Sequence, residues 1–138
     1  MSIQTAASFT ERVNALLAGI PPGDPVVMIN LLRYREQADY GGRADIEPCS
    51  GSEAYRRYMK QAFAFVTGVG GSLVWQGAPK AMLIGPSQER WDLALLVRYP
   101  SKAAFLAMVS DPAYQAITVH RTAALEDSRL IATLPTTP

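Results

Sequence analysis

A chain of 138 residues, 49% apolar and 18% charged, has the length and composition of one globular domain that can build its own core. Its 13 basic and 12 acidic residues leave a net charge of +1, and Arg56-Arg57 is the only basic doublet, so the clustered contacts needed to hold nucleic acid or an acidic membrane are missing. The single cysteine, Cys49, excludes an intrachain disulfide, and one histidine beside one cysteine excludes a zinc site of nitrogen and sulfur ligands.

The opening residues MSIQTAASFTERV carry neither the basic nor the apolar region of a signal peptide. The longest apolar runs, such as Leu93–Val97, are too short to span a bilayer. With the lone cysteine, these features set a cytoplasmic location as the expectation. Ser8-Phe9-Thr10-Glu11 reads as a capping box, followed by Phe9, Val13, Leu16 and Leu17 at helical spacing. Gly19 and Pro21-Pro22 stop that helix, which is expected from about Ser8 to Ala18, within an N-terminal helical extension covering 1–24. VVMINLLRYR then reads as a strand apolar on both faces, with Asn30 its only mid-strand polar side chain. Glu36–Gly51 is a long polar connection of the kind that is often functional.

Ser50 and Glu53 suggest a second capping box, and Tyr55, Tyr58, Met59, Ala62, Phe65 and Val66 form a helical stripe ended by Gly68, Gly70 and Gly71. Ser72–Ile84 is expected to be one strand, kinked at Gly77-Ala78-Pro79. After the turn Gly85-Pro86-Ser87-Gln88, Trp91–Tyr99 is the next strand. Pro100 stops it, Ser101 caps a short helix, and Asp111-Pro112 opens another that runs to about Leu125. Ser128–Leu134 closes the sheet, and 134–138 is a loose tail. The glycines at 68–71 follow a helix and precede a strand, the reverse of a phosphate-binding loop.

The order strand, helix, strand, strand, helix pair, strand gives a single α+β domain. It is a ferredoxin-like sandwich, a four-stranded antiparallel sheet with helices on one face. A sheet with one face in water should alternate apolar and polar residues, yet the first and third strands are apolar on both faces. A second copy packed sheet against sheet covers the spare face most simply, so a homodimer with a barrel-like centre is expected.

Asn30, Asp92 and Arg98 are polar groups in or beside otherwise apolar strands, where burial without hydrogen bonds is costly. If Asn30 and Arg98 share a face, they form an anchor for a carboxylate or carbonyl. The plainer alternative pairs Arg98 with Asp92 or with a carboxylate of a partner subunit. Tyr55 and Tyr58 lie on the sheet-facing side of their helix, where they pack or orient a ligand. Trp75 belongs to the same aromatic set, divided among core, interface and ligand contact. His120 is either a partly buried histidine bonded to a carbonyl or water, or a proton carrier or haem ligand. Arg121 reads as a surface residue paired with Asp111, Glu126 or a carbonyl.

The stretch from Gly70 to Ile131 resembles the domain-of-unknown-function 1330 family through Gly70-Gly71, Tyr99-Pro100-Ser101, Asp111-Pro112-Ala113-Tyr114 and Arg121. Ile84-Gly85 stands where that family often has Glu-Gly. The resemblance implies a dimeric α/β barrel, a superfamily that includes cofactor-independent monooxygenases, muconolactone isomerase-like proteins and haem-binding relatives. It transfers no catalytic residue. Two functions follow as expectations. One is a cofactor-free enzyme acting on a small apolar or aromatic carbonyl or carboxylate compound, with 36–51 as a lid; the other is a non-catalytic binding or sensing module on the same fold. No cofactor is expected in either.

Overall fold

The structure, a computed structural model, describes residues 6–138. Helix α1 (Ala6–Leu16) is already formed at Ala6, so Ser8 lies within the helix and the expected cap at Ser8 is displaced; its side chain is outside the described set. Strand β1 (Val26–Tyr34) leads to α2 (Gly51–Gly68), and Ser50 caps α2 by accepting from the Glu53 amide at 3.1 Å. Only half of that capping box forms, because the Glu53 carboxylate accepts from Arg56 Nη1 at 2.9 Å. Strands β2 (Ser72–Gly77) and β3 (Leu93–Tyr99) follow, then α3 (Lys102–Ser110), α4 (Pro112–Ala124) and β4 (Leu125–Thr133). Ser101 and Asp111 cap α3 and α4, accepting from the amides of Ala104 at 3.1 Å and Ala113 at 2.8 Å.

Three expected boundaries move. Strand β2 ends at Gly77 and does not resume after the kink, since Pro79 cannot donate to a ladder and no strand faces 80–84. Strand β3 begins at Leu93, although Asp92 prolongs its pairing by donating its amide to Leu32 O at 2.7 Å. Strand β4 begins three residues earlier than Ser128, directly at the end of α4.

The sheet order is β2-β3-β1-β4, every pair antiparallel, which is the ferredoxin-like arrangement. Burial alternates strictly along the first part of β1. Val26, Met28, Asn30 and Leu32 face the helices and join the core with Leu95, Val97 and Tyr99 of β3. Val27, Ile29, Leu31 and Arg33 occupy the opposite face. Register fixes how the two strands share those faces: Asn30 lies opposite Leu95, and Val27 opposite Arg98. Asn30 and Arg98 therefore stand on opposite faces, which corrects the expected anchor. Asp92 is not the partner of Arg98 either, for its Oδ2 accepts from the Tyr34 amide at 2.8 Å, at the other end of β3.

Across the open face, Ile29 is in register with Leu96 of β3 and Ile131 of β4, and Trp75 of β2 pairs with Leu96. Charges frame this apolar centre. Arg33 meets Glu126 at 3.2 Å and Asp127 at 3.7 Å, and Arg129 meets Asp127 at 2.6 Å, all at one end; Arg98 stands exposed at the other. Between β2 and β3, residues 78–90 form an arm without helix or strand, on which Leu83 and Ile84 are 90% and 95% exposed.

The connection 35–50 is tied down. Gln37 bridges Ser50, and Ala38 donates to Cys49 O at 2.9 Å. The amides of Arg35 and Asp39 donate to Ala124 O at 2.8 Å and Ala123 O at 2.9 Å, satisfying carbonyls at the end of α4. The chain passes so close at Gly51 that a Cβ there would lie 2.1 Å from Arg35 O and 2.8 Å from Ala124 O.

Candidate functional site

A cavity of about 870 Å³, partly open to solvent, lies between the helix-covered face of the sheet and the helices. Its floor is apolar except at one point: Met28 and Asn30 of β1, Leu95, Val97 and Tyr99 of β3, and Leu130 and Ala132 of β4. α2 contributes Tyr55, Tyr58, Met59 and Ala62, α3 contributes Phe105, Met108 and Val109, and α4 contributes Tyr114, Thr118 and Arg121. α1 and the turn after it close one side with Val13 and Leu17, while Phe9, Leu16 and Phe63, all partly or largely exposed, stand at the rim. Two polar contacts hold α1 to α3: Thr10 Oγ1 lies 3.0 Å from Ser110 Oγ, and Lys102 Nζ donates to Leu17 O at 3.2 Å.

The polar groups in this largely apolar chamber are tyrosine hydroxyls, with Asn30, Gln115, Thr118, Arg121 and Thr122 beside them. The hydroxyls of Tyr58 and Tyr114 lie 2.5 Å apart. Tyr55 packs against Tyr58 with ring centroids 5.4 Å apart. Burial drives the Tyr55 hydroxyl far above the ordinary phenol range, and the nearby charge of Arg121 only partly offsets it. Burial does the same to Tyr58, reinforced by Tyr114, and to Tyr99. All three are therefore neutral hydrogen-bond donors at physiological pH. Asn30 is 8% exposed, and its one side-chain bond among the described residues is a long one, Nδ2 to Met28 O at 3.4 Å. No carboxylate among the described residues lies within 4 Å of the Arg121 guanidinium.

Of the residues singled out from sequence, Asn30, Tyr55 and Tyr58 line this cavity. Arg98 and Trp75 belong to the open face of the sheet. His120 points away from the cavity, its Nδ1 lying 2.8 Å from the Tyr40 hydroxyl, which also accepts from Arg57 Nη1 at 3.4 Å. Burial, together with the charges of Arg57 and Arg43, lowers the His120 pKa and favours the neutral ring. No residue of 36–50 lines the cavity, so that connection is a brace for α4 and not the expected lid. Among the described residues no three His, Cys, Asp or Glu side chains cluster as metal ligands, and no helix is long and apolar enough to cross a membrane.

Sequence reasoning missed Tyr99, Tyr114 and above all Arg121. The signal was present as spacing: Tyr114, Thr118 and Arg121 follow i, i+4, i+7 along α4 and so share one face.

The family model described as Domain of unknown function (DUF1330) matches residues 48–133. The chain belongs to this family. Within the DUF1330 stretch, Ser101 and Asp111 serve as helix caps, and a Cβ on Gly71 would lie 2.9 Å from Val66 O and 3.0 Å from Arg98 O. Tyr99, Tyr114 and Arg121 line the cavity. A crystal structure of a protein of unknown function from Rhodopseudomonas palustris, a structural genomics target, is 40% identical, with a TM-score of 0.82 over 93% of this chain and 95% of that one. A methylated form of the same protein matches with the same identity and TM-score over 93% of each chain. A hydroxynitrile lyase from Passiflora edulis matches at 15% identity and a TM-score of 0.51, over 85% of this chain and 100% of that one, a likeness of fold alone. No match was found among curated proteins.

Proposed function

We propose that this protein binds a small apolar or aromatic compound carrying a carbonyl or carboxylate, in the cavity between sheet and helices, and that it works as a homodimer joined through the open sheet faces. The observation that carries the binding reading is the cavity itself: about 870 Å³ of mostly apolar wall into which Asn30, four tyrosines and Arg121 converge. Asn30, Tyr55 and Tyr58 serve as ligand contacts in this reading, and Arg121 replaces Arg98 as the cation. Arg98 and Trp75 belong to the subunit interface, and His120 to the brace behind α4.

The dimer reading rests on the open face, where Ile29, Leu96, Ile131 and Trp75 form an apolar centre with charged groups at both ends, the anatomy of a subunit interface. The exposed Leu83 and Ile84 on the arm extend that apolar surface toward a second copy. Cys49, free and half-buried, suits a cytoplasmic setting.

Binding without turnover fits the cavity better than catalysis. Its described lining holds no carboxylate, histidine, lysine or cysteine, and tyrosines kept protonated by burial do not act as bases at neutral pH. The enzymatic alternative, of the cofactor-independent monooxygenase or isomerase kind, draws its support from the Tyr58–Tyr114 hydroxyl pair, which can polarise a bound carbonyl by donation.

Calorimetric titration with neutral aromatic and aliphatic amides, naphthamide and octanamide, tests the binding reading. Saturable binding to the wild type, abolished by Ala62→Phe, which fills the cavity, is the expected result. Absence of saturable binding for the whole amide series and for the matching carboxylates overturns it.

A further inference from the structure

We infer that the ligand of this cavity is a monoanion, a single carboxylate on an apolar body, and that Arg121 with the hydroxyls of Tyr55 and of the Tyr58–Tyr114 pair is its head-group site. The inference rests on the binding reading above and narrows it from carbonyl or carboxylate to carboxylate.

The donor and acceptor balance of the chamber carries the argument. A guanidinium presents five N–H donors in a planar fork and no acceptor. Arg121 presents that fork at an apolar cavity, with no carboxylate among the described residues inside ion-pair distance. A cation held against apolar walls without a counter-charge is costly, and an entering carboxylate offsets that cost through a bidentate pair. The hydroxyls add to the same preference. Two phenols 2.5 Å apart own two protons and use one between them, so the pair retains one proton to donate outward. Tyr55 stands beside Arg121, whose charge favours its ionised form, but burial outweighs that effect and keeps its proton in place. Arg121 and the three tyrosine hydroxyls beside it can each donate, and with no carboxylate in the lining this set suits an oxyanion better than a cation.

The charge is limited to one because Arg121 is the only cationic side chain in the described lining. A dianion such as a phosphate monoester leaves one charge uncompensated among Met28, Leu95, Val97 and Phe105. Those walls define the rest of the ligand as apolar, aliphatic or aromatic.

The test compares naphthoate, naphthamide and naphthyl phosphate by calorimetry on wild type, Arg121→Gln, Arg121→Lys and Tyr58→Phe. In the wild type naphthoate is expected to bind at least ~10-fold more tightly than the amide, the scale of one charge-assisted pair. Arg121→Gln removes that advantage, weakening naphthoate at least ~10-fold more than naphthamide; Arg121→Lys retains part of it, since the charge survives without the fork. The preference fades as the ligand's carboxylate takes a proton near pH 4. Amide binding equal to carboxylate binding in the wild type, or a carboxylate preference untouched by Arg121→Gln, overturns the inference while leaving the cavity reading intact. Naphthyl phosphate binding more tightly than naphthoate overturns the single-charge assignment. Failure of amide and carboxylate alike removes the cavity reading on which both stand.

Discussion

On the helix-covered face of the sheet, Val26, Met28 and Leu32 lie buried in the core beside the cavity, whereas Val27, Ile29 and Leu31, each one residue away, lie half-buried on the face that the helices leave uncovered. Both sets are aliphatic, so composition does not distinguish them. What differs is the company they keep. The covered face carries Tyr99 and Asn30, around a largely apolar chamber, while the open face carries an apolar centre with ionic groups at its ends. In the function proposed above, the first face holds a small molecule and the second meets another copy of the chain. The comparison teaches that apolarity on both sides of a strand need not mean burial within one subunit.

The sharpest way to break this division is a charge at the middle of the open face. Ile29→Asp is expected to leave a folded chain but to raise the dimer dissociation constant at least ~100-fold, since a carboxylate would be buried without a partner in the assembly. Sedimentation velocity across a concentration series reads the change. An unaltered dimer would place the interface elsewhere.

Truncation of the two adjacent leucines sharpens the contrast. Leu32 is 0% exposed, and Leu32→Ala is expected to cost about 2–5 kcal/mol in urea unfolding at any protein concentration. Leu31→Ala is expected to cost less and to show its effect as a change in the concentration dependence of the midpoint. Identical behaviour of the two variants would erase the distinction between faces.

Gly51→Ala probes the brace behind the covered face. The added methyl group meets backbone atoms that cannot rotate away, Arg35 O and Ala124 O, so a loss of about 1–3 kcal/mol is expected. Tyr58→Phe comes next: it leaves the Tyr114 hydroxyl without its partner and is expected to cost about 1 kcal/mol, while the double replacement of Tyr58 and Tyr114 by Phe costs less than the sum of the single ones.

The smallest effect is on pH dependence. The folded-state pKa of His120 is depressed by burial and by Arg57 and Arg43, so the unfolded chain takes up the proton first. The stability this contributes is present above about pH 6.5 and is lost as pH falls through the lower folded-state value. His120→Gln is expected to flatten that acid limb. The buried tyrosines act in the opposite range. Their folded-state values are raised, so their contribution is present below about pH 10 and declines above it, as the unfolded chain ionises and the folded one does not. An acid limb unchanged in His120→Gln would show that the Tyr40–His120 contact carries no pH dependence.

Much of the fold was legible because its signals are local. Alternation along β1, the serine cap at Ser50 and the Asp111-Pro112 helix start all act within a few residues. The failures share a cause, which is that register and partner lie outside any one segment. That β1 and β3 are apolar on both faces is plain from their residues, but nothing within either strand says that Asn30 meets Leu95. Arg98 was thereby assigned to the ligand side. The apolar residues at 81–84 imitated a strand, whereas Leu83 and Ile84 stand exposed on the arm. Arg121 was passed over because a charged residue near the end of a helix resembles a solvated one; only its spacing from Tyr114 betrays the inward face.

A native mass spectrum of the purified protein bears most directly on the claim that the open sheet face meets a second copy. The account predicts a dominant species of two chains, twice the 15.0 kDa of one. A spectrum holding only the 15.0 kDa species at micromolar protein concentration contradicts it.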